Sequence, residues 1–184
     1  HIYVFSIKKI MKTKENIVFL GMMGSGKSSI GKLFSKKLKL DFHDTDEHIE
    51  NKLGSKISRI FKEKGEKFFR ECEEKITLEL LKNKNTVIAL GGGAFLNKKI
   101  RNEILHNHLS FWLKWDDKIL VDRIKKSSKR PIAFNSTNKE LFDLIKKRSN
   151  IYSKALYTIN CNQLSKSDLV VKVVNIYEAN KINN

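Results

Sequence analysis

Gly21-Met22-Met23-Gly24-Ser25-Gly26-Lys27-Ser28 decides how this chain folds. The octapeptide satisfies G-x-x-x-x-G-K-[ST] at every fixed position. Before it lies a short apolar run, residues 16–20 (NIVFL), which reads as a buried strand. After it, residues 28–38 place Ile30, Leu33, Phe34 and Leu38 on one helical face. A glycine loop between a strand and a helix can curl so that its N–H groups converge on phosphate oxygens. The helix N-terminus adds the positive end of its dipole. Gly24, Ser25, Gly26, Lys27, Ser28 and Ser29 are therefore expected to hold a nucleotide's phosphates, with Lys27 reaching the β- and γ-phosphates and Ser28 able to ligate Mg²⁺.

Outward from this loop, strand and helix patterns alternate to the end of the chain. Further strands are expected at 40–43, 86–90, 109–113 and 157–161, and helices at 47–53, 66–83, 97–106, 116–126, 139–155 and 167–178. A short helix between Ser55, its expected cap, and Gly65 completes the series. Such alternation predicts an α/β three-layer sandwich in which helices cover both faces of a five-stranded parallel sheet, of the P-loop NTPase type. The polar segment 126–138 contains the chain's one proline, Pro131, and reads as a mobile lid. Residues 1–10 precede Met11 and read as an N-terminal extension, leaving 11–184 as a single domain built on the phosphate loop.

Composition narrows the function classes. No apolar run approaches the ~20 residues needed to cross a bilayer, and the opening Ile2-Tyr3-Val4-Phe5 is too short for a signal-peptide core. Cys72 and Cys161 lack metal-ligand spacing, and two unpaired thiols fit a reducing cytoplasm. A net charge of +17 raises the question of nucleic acid. Yet 31 lysines stand against 6 arginines, beside 20 isoleucines and 16 asparagines, which is the drift of an A/T-rich genome. No specific nucleic-acid partner is expected. Where any cation would serve, this chain supplies lysine, so its arginines mark positions that need a planar fork.

Two aspartates one residue apart follow the second strand, in Asp44-Thr45-Asp46. They lie at the carboxyl edge of the sheet, where doubly wound folds bind ligands. One can hold the hydration shell of Mg²⁺ and the other can orient an acceptor hydroxyl. Phe69-Arg70-Glu71-Cys72-Glu73 places an arginine and a glutamate on one helix face, where Glu73 can orient Arg70. Gly91-Gly92-Gly93 follows the third strand, Arg130-Pro131 sits in the polar segment, and R-x-x-x-Y-x-x-A runs from Arg148 to Ala155.

In order and spacing, the loop GMMGSGKSSIG and these motifs resemble the shikimate kinase family over roughly residues 15–178. The resemblance implies transfer of a phosphoryl group from ATP, with one Mg²⁺, to the 3-hydroxyl of shikimate in chorismate biosynthesis, by a cytoplasmic monomer. It implies that Arg70 and Arg148 hold the acceptor's carboxylate and that Asp46 binds its hydroxyls and acts as base. Gly91, Gly92 and Gly93 would permit close backbone approach to the acceptor. Asp44 would join Ser28 at the metal, Arg130 would close on the transferring phosphate, and Arg123 would stack on adenine. Residues 160–167 would supply further adenine contacts. The chain departs from the family at Asn150 and Lys154, which replace a proline and a glutamate, and at Ser29, which replaces threonine. Arg59 and Arg101 match no motif and are expected at the surface. A gluconate or nucleoside-monophosphate kinase would share the phosphate loop but has less reason to carry the other motifs together.

Overall fold

Strands buried on both faces read as unbroken apolar runs, and β1 (Ile17–Leu20, IVFL) and β3 (Thr86–Ala89, TVIA) are buried at every position. The computed structural model describes residues 16–126 and 136–182. Residues 1–10, Arg130 and most of the expected lid lie outside the described residues. The remaining elements are α1 (Lys27–Leu38), β2 (Asp41–Asp44), α2 (Thr45–Leu53), α3 (Ile57–Leu80), α4 (Lys98–Asn107), β4 (Leu109–Lys114), α5 (Asp117–Lys125), α6 (Asn138–Tyr152), β5 (Tyr157–Asn160) and α7 (Lys166–Ile182), with a 3₁₀ turn at Ala94–Leu96. The strands form one sheet in the order β2-β3-β1-β4-β5, and every pairing is parallel.

Alternation along β1 divides the core in two. Ile17 and Phe19 join Ile30 and Phe34 of α1 and Val170 and Val173 of α7 on one face. Val18 and Leu20 face the opposite layer, which is built from α2 to α6 and includes Ile49, Phe69, Ile100, Val121 and Ile145. The expected three-layer sandwich with a five-stranded parallel sheet is the fold observed. The edge strands β2 (DFHD) and β5 (YTIN) are only partly buried, which is why their apolar content is lower.

Two local features set where α3 lies. At Gly65 the backbone leaves helical geometry, with φ 83° and ψ 170°, so the element is two helices meeting at a glycine. The expected cap at Ser55 is not observed. Lys56 occupies the cap position without a side-chain bond, and the Ile57 N–H is accepted by Glu50 Oε1 at 3.0 Å. A carboxylate from the preceding helix does the work that a neighbouring hydroxyl was expected to do.

Because all strands run parallel, the segments after β2, β3 and β1 emerge side by side. That brings together residues 44–46, 91–93 and 21–28, which are far apart in sequence.

Candidate active site

Gly24 and Gly26 hold φ values of 77° and 95°, in the left-handed region that glycine occupies without strain. Gly26 is the N-cap of α1 and supplies no side-chain cap, so an anion can take the N–H groups of the first turn. Lys27 is buried, and its Nζ donates to the carbonyl oxygens of Gly21 at 3.0 Å and Met22 at 2.8 Å. The loop thus keeps this ammonium at the end of β1. Ser28 Oγ donates to Asp44 Oδ2, which brings the two expected metal ligands into contact across α1 and β2. The set is a hydroxyl and a carboxylate, both hard oxygen donors of the kind Mg²⁺ takes while retaining water. A cleft of about 440 Å³ opens over the loop and is lined by Lys27, Ser28, Ser29, Asp44 and Asp46 among others.

The corner from β2 into α2 is held by its own side chains. Asp44 Oδ1 accepts from the N–H groups of Asp46 at 3.0 Å and Glu47 at 3.4 Å, capping α2. Thr45, fully buried, accepts the Gly91 N–H at 2.7 Å. That bond ties the corner to the glycine run, and Gly91's N–H is thereby committed to Thr45.

The glycine run is crowded by functional side chains, which explains its composition. A Cβ at Gly91 would collide with Asp46 Oδ1, and one at Gly93 would collide with the Arg70 guanidinium. A Cβ at Gly92 would lie 3.7 Å from an Arg148 nitrogen. Asp46, Arg148 and Arg70 are therefore arrayed around three consecutive residues. Arg70 donates to Glu73 Oε2 at 2.7 Å and, more weakly, to Glu66 at 3.3 Å. Its guanidinium also lies 5.2 Å from the Phe69 ring centre.

Burial pushes the Glu73 carboxyl above its ordinary range, against the pull of Arg70, and nearby Asp46 adds to the rise. Burial would lower Arg70, but Glu73 and Glu66 outweigh it and hold the guanidinium above its usual value. The two shifts pull the ion pair in opposite senses; the short contact favours the charged pair at neutral pH. Arg148 Nε is buried without a hydrogen-bond partner, and among the described residues its guanidinium makes no carboxylate salt bridge. Tyr152, from the same helix, donates its hydroxyl to the Gly92 carbonyl, and burial raises that phenol's pKa.

A family model described as shikimate kinase matches residues 23–178. The shikimate kinase of Bartonella henselae is 38% identical over 178 residues, covering 95% of this chain and 85% of that protein. That of Thermodesulfovibrio yellowstonii is 35% identical over 165 residues, covering 89% and 95%. The chain belongs to the shikimate kinase family. Among solved structures, the shikimate kinase from Acinetobacter baumannii in complex with shikimate superposes with a TM-score of 0.84 at 32% identity, covering 94% of this chain and 98% of that one.

Within this shikimate kinase fold, the expected nucleotide residue Arg123 lies against the phosphate loop, its Nε donating to the Gly24 carbonyl at 2.9 Å. Lys126, which no motif indicated, lines the same cleft. The segment after β5 approaches that after β4, where Asn162 Oδ1 accepts the Asp116 N–H at 2.9 Å. Of the arginines expected at the surface, Arg59 pairs with Glu63 in solvent. Arg101 departs from that expectation. It is half-buried and donates to the Phe95 and Leu96 carbonyls at 3.0 and 2.9 Å, bracing the turn that follows Gly93. Cys72 and Cys161 are free, and burial pushes the Cys161 thiol up to about 12, so it is not a nucleophile.

Proposed function

We propose that this protein transfers the γ-phosphoryl group of ATP to the 3-hydroxyl of shikimate, yielding ADP and shikimate 3-phosphate for aromatic amino acid biosynthesis. The observation that carries the reading is the convergence of Asp46, Arg148 and Arg70 on Gly91–Gly93, beside a complete phosphate loop. Shikimate is a polyhydroxy carboxylic acid, and this set offers a carboxylate for its hydroxyls and two guanidinium groups for its carboxylate. In the transfer step the acceptor oxygen bonds to the γ-phosphorus as the bond to the ADP oxygen breaks. Asp46 takes the hydroxyl proton. Lys27 and Arg130 meet the charge on the phosphoryl oxygens of a loose transition state. Ser28 and Asp44 would hold Mg²⁺, which supplies charge neutralisation at the phosphates when bound. The segment 126–138 would close over the site and exclude water that would otherwise hydrolyse ATP.

We assign the enzyme to the cytoplasm, a setting supported by its free thiols, and take it to act as a monomer. A coupled ADP-release assay tests the activity. ATP with shikimate should turn over, and ATP with gluconate or a nucleoside monophosphate should not. Preference for either of those acceptors would overturn the substrate assignment.

Arg70→Lys tests the carboxylate site. The variant keeps a cation for Glu73 but loses the two-pronged geometry. KM for shikimate should rise about tenfold, since charge-assisted bonds contribute about 1.5–3 kcal/mol, while KM for ATP changes little. An analogue lacking the carboxylate should be nearly indifferent to the swap. Equal losses on both acceptors would make Arg70 a purely structural partner of Glu73.

A further inference from the structure

The end of β4 carries a side chain that the reaction above does not use. Trp115 is half-buried beside the phosphate loop, and its indole Nε1 donates to the Ser25 carbonyl at 2.8 Å. The Arg123 guanidinium lies over the Trp115 ring, 4.2 Å from its centre. Arg123 Nε is bonded in turn to the Gly24 carbonyl. Both side chains are thus anchored to adjacent carbonyls of the loop and stacked on each other. From these contacts we infer that Trp115 is a positioning residue for the nucleotide base, fixing Arg123 as a preset platform on which the purine stacks.

This inference rests on the reading that the loop binds ATP. A free arginine on a helix surface samples many rotamers and loses that freedom when it binds. Here one face of the guanidinium is covered by an indole, and the Nε–H is already satisfied. Arg123 nonetheless lines the cleft with Lys27 and Ser28, so the group is available to a ligand there. With phosphates on the loop, the base must lie to one side of it. The segment after β5 stands beside this pair, through the bond from the Asp116 N–H to Asn162 and from the Cys161 N–H to the Lys114 carbonyl at 2.8 Å. The indole, the guanidinium and a purine would form a three-layer stack against that wall. Cation–π contact favours tryptophan over the other aromatic rings in the bottom layer.

The test is calorimetric titration of ADP and of inorganic tripolyphosphate, without acceptor, into wild type, Trp115→Leu, Trp115→Phe, Arg123→Ala and the Trp115→Leu/Arg123→Ala double variant. Circular dichroism checks the fold of each. Trp115→Leu should weaken ADP by about five- to tenfold and tripolyphosphate by less than about twofold. Trp115→Phe keeps a ring but loses the indole N–H, and should stay within about threefold of wild type for ADP. In the Arg123→Ala background the leucine substitution should add almost nothing. Equal losses for ADP and tripolyphosphate, or a phenylalanine variant as weak as the leucine one, would mean that Trp115 acts on the loop through Ser25, and would overturn the inference. Additive losses in the double variant would overturn it too. Failure of folded wild type to bind ADP would instead bring down the nucleotide reading beneath it.

Discussion

Lys27→Ala should lower kcat for phosphoryl transfer by about a thousandfold, the scale of losing one preorganised charge-stabilising donor, while the chain still folds. The ammonium is buried and held by the Gly21 and Met22 carbonyls, so it is in place before substrate arrives. Its effect should fall on the step in which charge redistributes over the phosphoryl oxygens, and therefore on kcat more than on the affinity for ADP. Truncation also leaves those two carbonyls without this donor. A stability loss of about 1–3 kcal/mol is expected, visible as a lower Tm with unchanged circular dichroism. Steady-state kinetics beside an ADP titration separate the two effects. Activity within about tenfold of wild type, in a normally folded variant, would remove Lys27 from the transition state.

The same lysine shows what could be read before the structure was known. A loop motif with strand and helix on either side fixes its own geometry through local sequence, because the glycines, the cap position and the lysine all belong to eight consecutive residues. The alternating strands were readable for a related reason: β1 and β3 have no exposed face, so their composition is uniform. The contacts that shape the acceptor site lack such a signature. Thr45 accepts from Gly91, and Tyr152 donates to Gly92, across 46 and 60 residues of chain. Both residues stand inside motifs quoted from the sequence, but spacing along the chain does not say which distant backbone group each hydroxyl meets. Trp115 was equally silent, since an aromatic residue at a strand end usually reads as core. The start of α6, expected at 139, lies one residue from the observed Asn138. Thr137 and Glu140 form a capping box whose T-x-x-E spacing is visible in the sequence. The misassigned cap at Ser55 has the opposite cause: the acceptor for the helix's first N–H is Glu50, whose position depends on how α2 turns at Gly54.

Asp46→Asn should cost about two to three orders of magnitude in kcat, because the amide keeps the carboxylate's size but cannot take the acceptor's proton. The surrounding geometry makes this a clean substitution. Asp46 is linked to the α2 cap through its backbone N–H, which Asp44 Oδ1 accepts, and that bond does not involve the Asp46 side chain. The carboxylate rests against Gly91, where a Cβ would displace it, so the isosteric amide fits the same space. KM for shikimate should rise several-fold, and the affinity for ADP should scarcely change. Asp44→Asn should behave differently. Its partner is Ser28 Oγ, so the loss should appear as a higher Mg²⁺ requirement that added Mg²⁺ partly rescues. Asparagine still caps a helix well, so that variant should remain folded. Asp46→Asn offers a second readout. Burial raises the Glu73 carboxyl and the Asp46 charge raises it further, so neutralising Asp46 should lower the Glu73 titration midpoint followed by NMR. If the two variants give interchangeable Mg²⁺ profiles, and Glu73 titrates alike in Asp46→Asn and wild type, the division of labour between metal-side and acceptor-side aspartates is wrong. The base would then have to be sought among the other groups around Gly91.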